Sequence, residues 1–466
     1  MTTDANATLV AADAARGQRV TDMGNSERLK EQHGEHLRYC YPQGCWYIWT
    51  GQRWKADAGG EVMRLADNVV KNLYAEAAMA ADDDRRDLAR HAARSEDLSR
   101  RRAMVEGARH LLPVLPDELD THPYLLNVAN GVLDLKTGRL GQHDPALLLT
   151  TITSALYYPT ATCPTWETFL ETVLGGDRDL IAYIKRAFGY CLTGDTGEQV
   201  MFLPFGTGAN GKSTLLEVLR ALLGDLAATA DPSVLLASKR DSGAATPGLA
   251  ALRGVRAALV SEVNQGKDLD AASIKWITGG ETVTARLLYQ DLFQFRPQFR
   301  IWLAVNHRPG VTDTSDGMWR RLHAIPFSVT IPEAQRDHRL PALLAAELDG
   351  ILAWAVQGCM EWQRDGLQAP AKVTDATAQY RADSDPIAQF LADTCEADPE
   401  NVHLYIDKPA LKAAYDRWCQ ANTLEPVSPK ALTQALKDKG FGEGRTNQAR
   451  LWRGISIKTQ VTGDSS

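Results

Sequence analysis

The stretch GTGANGKS, Gly206 to Ser213, constrains this chain more than any other segment of its length. It satisfies G-x-x-x-x-G-K-[ST] at every fixed position. QVMFLPF ahead of it is an apolar run that predicts a buried strand, and TLLEVLRALLG behind it carries helical spacing up to Gly224. The glycines let backbone N–H groups curl around an anion, and the helix N-terminus adds its positive end. The predicted phosphate contacts run through Gly206, Thr207, Gly208, Ala209, Asn210, Gly211, Lys212, Ser213 and Thr214. Lys212 is expected to reach the β- and γ-phosphates of ATP, and the Ser213 hydroxyl to ligate Mg²⁺. A chance glycine-rich turn seldom has both a strand and a helix in the right places, so nucleotide binding is the expectation.

A phosphate loop needs further groups around it, and three segments supply candidates. VRAALVSE reads as a buried strand ending in an acid, Glu262, suited to hold Mg²⁺ and orient the attacking water. FRIWLAVNHRP is a second apolar strand ending at Asn306, which either senses the γ-phosphate or caps the turn that follows. DGMWRRLHAIPF sets Arg320 and Arg321 ahead of a last strand. They are either a surface pair or a source of positive charge for a neighbouring subunit's site.

The rest of the chain frames this unit. With 466 residues, 44% hydrophobic and 23% charged, roughly three globular domains are expected. The formal net charge of -7 means that any grip on nucleic acid needs positive charge gathered locally. Seven cysteines without a CxxC pair fit reduced thiols. His33, His36, Cys40 and Cys45 lack a common zinc spacing, and their aromatic surroundings predict a small apolar core. The N-terminus has no apolar signal core and no long apolar run follows, so no membrane span is expected and the cytoplasm of the bacterial host cell is the expected location.

The organisation reads as a disordered segment over 1–20, then an accessory region over 21–120. There WYIWTGQRW predicts a hairpin, and residues 62 to 112 predict charged helices in which Asp82-Asp83-Asp84 lies on a solvated face. Residues 121–195 begin with short strands around Asn130-Gly131 and Thr137-Gly138 and become helical. Residues 196–335 alternate apolar strands and helices, the pattern of an α/β domain with a central, mostly parallel sheet. Residues 336–395 read as helical, and 396–466 as a compact helix-rich module.

Five motifs in order, GTGANGKST, LVSEVNQG, IKWITGGETVTARLLYQDLFQF, IWLAVNHRP and MWRRLHAIPF, resemble the superfamily 3 helicases, in particular the phage and plasmid primase-helicase group with its poxvirus-type members. The resemblance implies an AAA+-like P-loop ATPase flanked by a helical N-terminal region and a C-terminal winged-helix-like module. It also implies a Walker A loop at 206–214, the Walker B acid at Glu262, a sensor asparagine at Asn306, and a trans-acting arginine at Arg321 rather than Arg320. Lys275 to Pro297 is similar to the family's pore hairpin, which implies single-stranded DNA contacts from Lys275, Arg286 and Tyr289, with Arg296 sharing the charge. Gln290 stands where a basic residue is usual.

The implied protein is an ATP- and Mg²⁺-dependent homo-hexameric helicase, with priming supplied by a separate polypeptide. The alternatives are an origin-binding initiator without processive unwinding, or a structural DNA-binding protein whose ATP site controls assembly. The tail is similar to a winged helix, with ALKAAYDRWCQAN and SPKALTQALKDKGF as helices, Ser428 as an N-cap and RLWRGISIK as a strand. From 401 to 466, ten basic side chains face six acids, a local charge of +4, which suits duplex DNA or a docking role.

Overall fold

The computed structural model describes residues 20–236, 246–261, 267–286, 292–401, 403–445 and 449–458. The chain opens with α1 (Asp22–His33) and a three-stranded antiparallel sheet of β1 (Leu37–Cys40), β2 (Cys45–Trp49) and β3 (Trp54–Ala56). The hairpin expected from WYIWTGQRW is β2–β3, with Trp49 opposite Trp54. Cys40 and Cys45 face each other across β1–β2. Three helices follow, α2 (Glu61–Met79), α3 (Asp82–Ser95) and α4 (Leu98–Ala108). Leu29, Leu37, Trp46, Val69 and Met104 form the core between them and the sheet. Asp82 and Asp84 are exposed at the start of α3.

A second antiparallel sheet, β4 (Leu125–Val128), β5 (Gly131–Asp134) and β6 (Arg139–Gly141), leads into α5 (Pro164–Val173) and α6 (Arg178–Cys191). Asp177 caps α6 by accepting from Leu180 N at 3.0 Å. The two N-terminal units are stitched together at Trp54, whose backbone N donates to Leu149 O and whose Nε1 donates to Pro145 O, both at 2.8 Å.

The central sheet holds β7 (Met201–Phe205), β8 (Ala227–Thr229), β9 (Ala257–Ser261), β12 (Arg300–Ala304) and β13 (Leu322–Pro326) in the order β13-β7-β12-β9-β8, every pairing parallel. Such strands are covered on both faces, which is why they read as continuous apolar runs. One face packs on α5, α6, α7 (Lys212–Leu223) and a later helix through Trp166, Phe188, Phe202 and Trp302, with Phe202 stacked on Trp302 at 4.4 Å. The other is covered by Ile274 and Ile277 of α8 (Ala271–Thr278), by Trp319 and by Tyr380. The two-stranded ribbon of β10 (Val283–Ala285) and β11 (Phe293–Phe295) projects between β9 and β12 in sequence. The turn expected at Tyr289-Gln290-Asp291 lies outside the described residues.

Beyond the sheet come α9 (Leu348–Asp365), α10 (Ala371–Asp383) and α11 (Pro386–Thr394). Close backbone approach sets α9 against α6: a Cβ on Gly189 would meet Cys359 N at 2.1 Å. The C-terminal module then runs β14 (Cys395–Ala397), β15 (Tyr405–Asp407), α12 (Lys408–Ala421), α13 (Pro429–Asp438), β16 (Gly442–Arg445), β17 (Arg450–Arg453) and β18 (Ile455–Ile457). Ser428 caps α13, its hydroxyl accepting from Ala431 N at 3.3 Å. The three-stranded sheet has the order β15-β17-β16, and β14 pairs with β18. Among the described residues no single helix is long and apolar enough to cross a membrane.

Candidate nucleotide site

The loop between β7 and α7 holds four residues with positive φ: Gly206 (156°), Gly208 (103°), Ala209 (49°) and Gly211 (86°). Ala209 tolerates this at a cost of about 1–2 kcal/mol. Its carbonyl is held by Ile331 N at 2.8 Å. The glycines are not equivalent. A Cβ on Gly206 would meet Phe327 O at 2.3 Å, and one on Gly211 would meet Val173 Cγ1 at 2.5 Å. Both are therefore required by packing within the chain. Gly208 has open space around it, so its part of the loop is the part available to a ligand.

Lys212 starts α7 behind Gly211, a position with no side-chain cap, so the first-turn N–H groups are not engaged by one. Lys212 is only 5% exposed. Its Nζ donates to Gly206 O at 2.7 Å and to Asn210 Oδ1 at 2.8 Å, while Asn210 Nδ2 donates to Phe327 O at 3.2 Å. Burial lowers the Lys212 pKa from its ordinary value. Among the described residues no carboxylate pairs with this ammonium; neutral carbonyl oxygens hold it in place. That arrangement fits a ligand that brings its own negative charge.

The loop opens on a cleft of about 290 Å³ at the carboxyl ends of β8, β9 and β12, lined among others by Lys212, Ser213, Thr229, Ser261, Asn306 and His307. Ligands of open parallel sheets bind at this end. The fold thus brings Asn306 to the same cleft as Lys212 and Ser213, and leaves both Ser213 and Asn306 exposed there. Ser213 offers a hydroxyl oxygen, the donor type that a hard divalent cation takes. Thr207 is exposed in the loop and Thr214 half-buried in α7. Glu262 lies outside the described residues; its neighbour Ser261 ends β9 at the cleft.

Arg321 is not presented outward, as a trans-acting arginine would be. It is 8% exposed and fully engaged within its own chain. Its Nε donates to Thr278 Oγ1 at 3.2 Å, one terminal nitrogen to Gln199 Oε1 at 3.0 Å, and the other to Gly317 O. The helical turn at Asp316–Trp319 turns one arginine of the pair in and the other out, and Arg320 is the exposed one. Lys275, expected on DNA, is paired with Asp313 Oδ2 at 2.5 Å and Ser315 Oγ at 2.9 Å, so its charge is compensated internally. Arg286 lies half-buried at the end of β10. Its Nε has no hydrogen-bond partner among the described residues. Tyr289 lies outside them.

Sequence reasoning missed a pair of buried arginines at the opposite end of the sheet. Arg256 precedes β9 and donates to Leu125 O at 2.6 Å, His122 O at 3.3 Å and Leu192 O. Burial first, then the charge of Arg300, pushes its pKa down to about 9. Arg300 opens β12 and donates to Gln298 O at 2.7 Å, Thr193 O at 2.6 Å, Thr193 Oγ1 at 2.8 Å and Tyr190 O. It also lies 4.2 Å over the Tyr190 ring. Together they clasp residues 122–125 and 190–193 to the central sheet. The available signal was an arginine opening each of two strands that are otherwise apolar.

Comparison with known proteins adds the following. Residues 26–175 match the D5 N terminal like family, and residues 205–321 match a family of unknown function (DUF5906). "Putative helicase L207/L206" of Acanthamoeba polyphaga mimivirus is 31% identical over 296 residues, covering 59% of this chain and 31% of that protein. "Putative helicase 022R" of Frog virus 3 is 28% identical over 273 residues, 55% of this chain and 28% of that one. "Putative primase C962R" of African swine fever virus (strain Badajoz 1971 Vero-adapted) is 30% identical over 367 residues, 73% of this chain and 38% of that one. The matched region thus spans about a third of the length of these relatives. The apo structure of the NrS-1 C-terminal region shares the fold at 9% identity and a TM-score of 0.50, covering 92% of this chain and 98% of that one.

Proposed function

Because the chain belongs to the D5-like, superfamily 3 group of primase-helicases, we propose that it is an ATP-driven DNA helicase of phage or plasmid replication that works as a ring on single-stranded DNA. The observation that carries this reading is the meeting of Lys212, Ser213 and Asn306 at one cleft on the carboxyl edge of a parallel sheet. In the proposed reaction the loop amides and Lys212 bind the β- and γ-phosphates of ATP, and Asn306 orients the attacking water. Ser213 and Glu262 are the residues to hold Mg²⁺, which supplies positive charge to the phosphates when bound. Thr207 and Thr214 flank the grip.

The proposed active form is a homo-hexamer, with the site completed by a neighbour. The exposed Arg320 suits that role better than Arg321, whose guanidinium is held by Thr278 and Gln199. In the proposed strand path the β10–β11 ribbon touches single-stranded DNA, with Arg286 and Tyr289 as contributors and Lys275 as a brace for Asp313. The proposed domains keep the boundaries expected above, with 196–335 as the motor and 396–466 as a winged-helix-like, duplex-binding module. The β15–α12–α13–β16–β17 order and the local charge of +4 favour this last reading.

The test is strand displacement on forked, 3′-tailed and 5′-tailed substrates. ATP-dependent displacement of one tailed substrate is expected. DNA-stimulated hydrolysis without displacement would point instead to an origin-binding initiator.

A further inference from the structure

A second cleft, of about 400 Å³, lies at the amino end of the central sheet, on the side away from the nucleotide loop. This is within the range of ligand sites. Its walls come from different units: Gln43 and Tyr47 from the N-terminal sheet, Arg253 from the approach to β9, and Gln294, Arg296 and Gln298 from the base of the β10–β11 ribbon. Neither arginine is paired with a carboxylate among the described residues. Arg253 donates to Pro116 O at 3.1 Å and lies 5.5 Å from the Phe293 ring centre. Arg296 is exposed, with Nε donating to Gly280 O at 3.0 Å.

Tyr47 donates its hydroxyl to Gln43 Oε1 at 2.7 Å. Burial pushes that phenol up to about 12, so it stays a neutral donor. Asp120 also lines the cleft, but its carboxylate is held by Thr150, whose N donates at 2.8 Å and whose hydroxyl donates at 2.5 Å. Asp117 is the exposed acid at the rim. Behind Asp120 a void of about 10 Å³ borders Arg256, whose buried Nε has no hydrogen-bond partner among the described residues.

We propose that this cleft binds one nucleotide unit of single-stranded DNA beside the ribbon: Arg253 and Arg296 take the phosphate, the amides of Gln43, Gln294 and Gln298 bond the base edge, and Tyr47 lies against its face. The inference rests on the motor reading and extends the strand path to the N-terminal sheet. The volume is of the size of one nucleotide. Side-chain amides offer both donors and acceptors, as base edges require. Strand binding here ties the N-terminal sheet to the ribbon, because neither unit builds the cleft alone.

The test is fluorescence anisotropy of a labelled oligo-dT on the full chain over a salt series. Arg253→Gln with Arg296→Gln is expected to weaken binding about tenfold and to lower the salt slope by about 1–2. Arg296→Gln alone should lower it by about 1, and it keeps the test open if loss of the Arg253–Pro116 contact unfolds the double variant. Gln43→Ala, across the cleft, should weaken binding about threefold. Unchanged affinity and slope in the folded arginine variants overturn the site. So does a loss confined to the arginines with Gln43→Ala at wild-type affinity, since the charge then acts without the cleft. Competition by dTMP as effective as by the oligonucleotide assigns the cleft to a small ligand and also overturns it. A wild-type chain that does not bind oligo-dT at all defeats the motor reading itself.

Discussion

β9 and β12 end at Ser261 and Ala304 beside a cleft where Ser213 and Asn306 stand exposed. At their amino ends, about 13–16 Å away at the usual rise per strand residue, Arg256 just precedes β9 and Arg300 opens β12. There the guanidinium groups are spent on carbonyls of residues 122–125 and 190–193. Both ends carry polar groups on apolar strands, yet one end presents them to an open cleft and the other uses them to hold the fold. The difference lies in satisfaction. A buried guanidinium whose terminal nitrogens donate to carbonyls of its own chain is architecture, whereas a polar group left facing a cleft is available for chemistry.

The largest test of this contrast is Lys212→Ala. ATP hydrolysis, followed by phosphate release, should fall about a hundredfold or more while the urea midpoint moves little. Wild-type turnover in that variant would break the assignment of the carboxyl end. At the amino end the reverse is expected. Arg300→Met leaves the carbonyls of Tyr190 and Thr193 without their donor, and should cost about 4 kcal/mol of stability in urea unfolding. A loss below 1 kcal/mol would mean that the clasp is dispensable.

Between the two ends, His323 of β13 meets the Tyr183 hydroxyl at 2.5 Å, and burial pushes its pKa down to about 4. The unfolded chain takes up this proton near pH 6.5 and the native chain does not. The stabilisation is therefore complete above pH 6.5 and lost as pH falls toward 4, a span of about 3 kcal/mol. His323→Gln should flatten that part of the stability–pH profile; an unchanged slope would show that another group carries it. The smallest effect is expected from Thr193→Val, which removes a buried hydroxyl that accepts from Arg300 and from Asp195 N and donates to Tyr190 O, and should cost about 2 kcal/mol in the same unfolding assay.

Much of this contrast was legible in the chain, unevenly. The hairpin around Thr50-Gly51, the Ser428 cap and the strand–loop–helix at 201–223 depend on contiguous residues, and they form as the local patterns predict. The local pattern left the surroundings of Arg321 open. A pair of arginines before a strand gives no sign of which one turns inward, because the partners that decide it, Thr278 and Gln199, are 43 and 122 residues away. The pairing of Lys275 was hidden for the same reason: its partner Asp313 lies 38 residues on. The arginines opening β9 and β12 had no motif, and they acquire their role only when loops from the preceding unit arrive over them.

The sequence by itself determined where the backbone can curl around phosphates, since Gly208 and Gly211 adopt their φ angles and the helix begins at Lys212 from residues within one short stretch. Only the tertiary structure decided which charges remain free to act. Whether a guanidinium or an ammonium is spent or available depends on carbonyls and carboxylates brought in from distant parts of the chain, and no local pattern encodes that encounter.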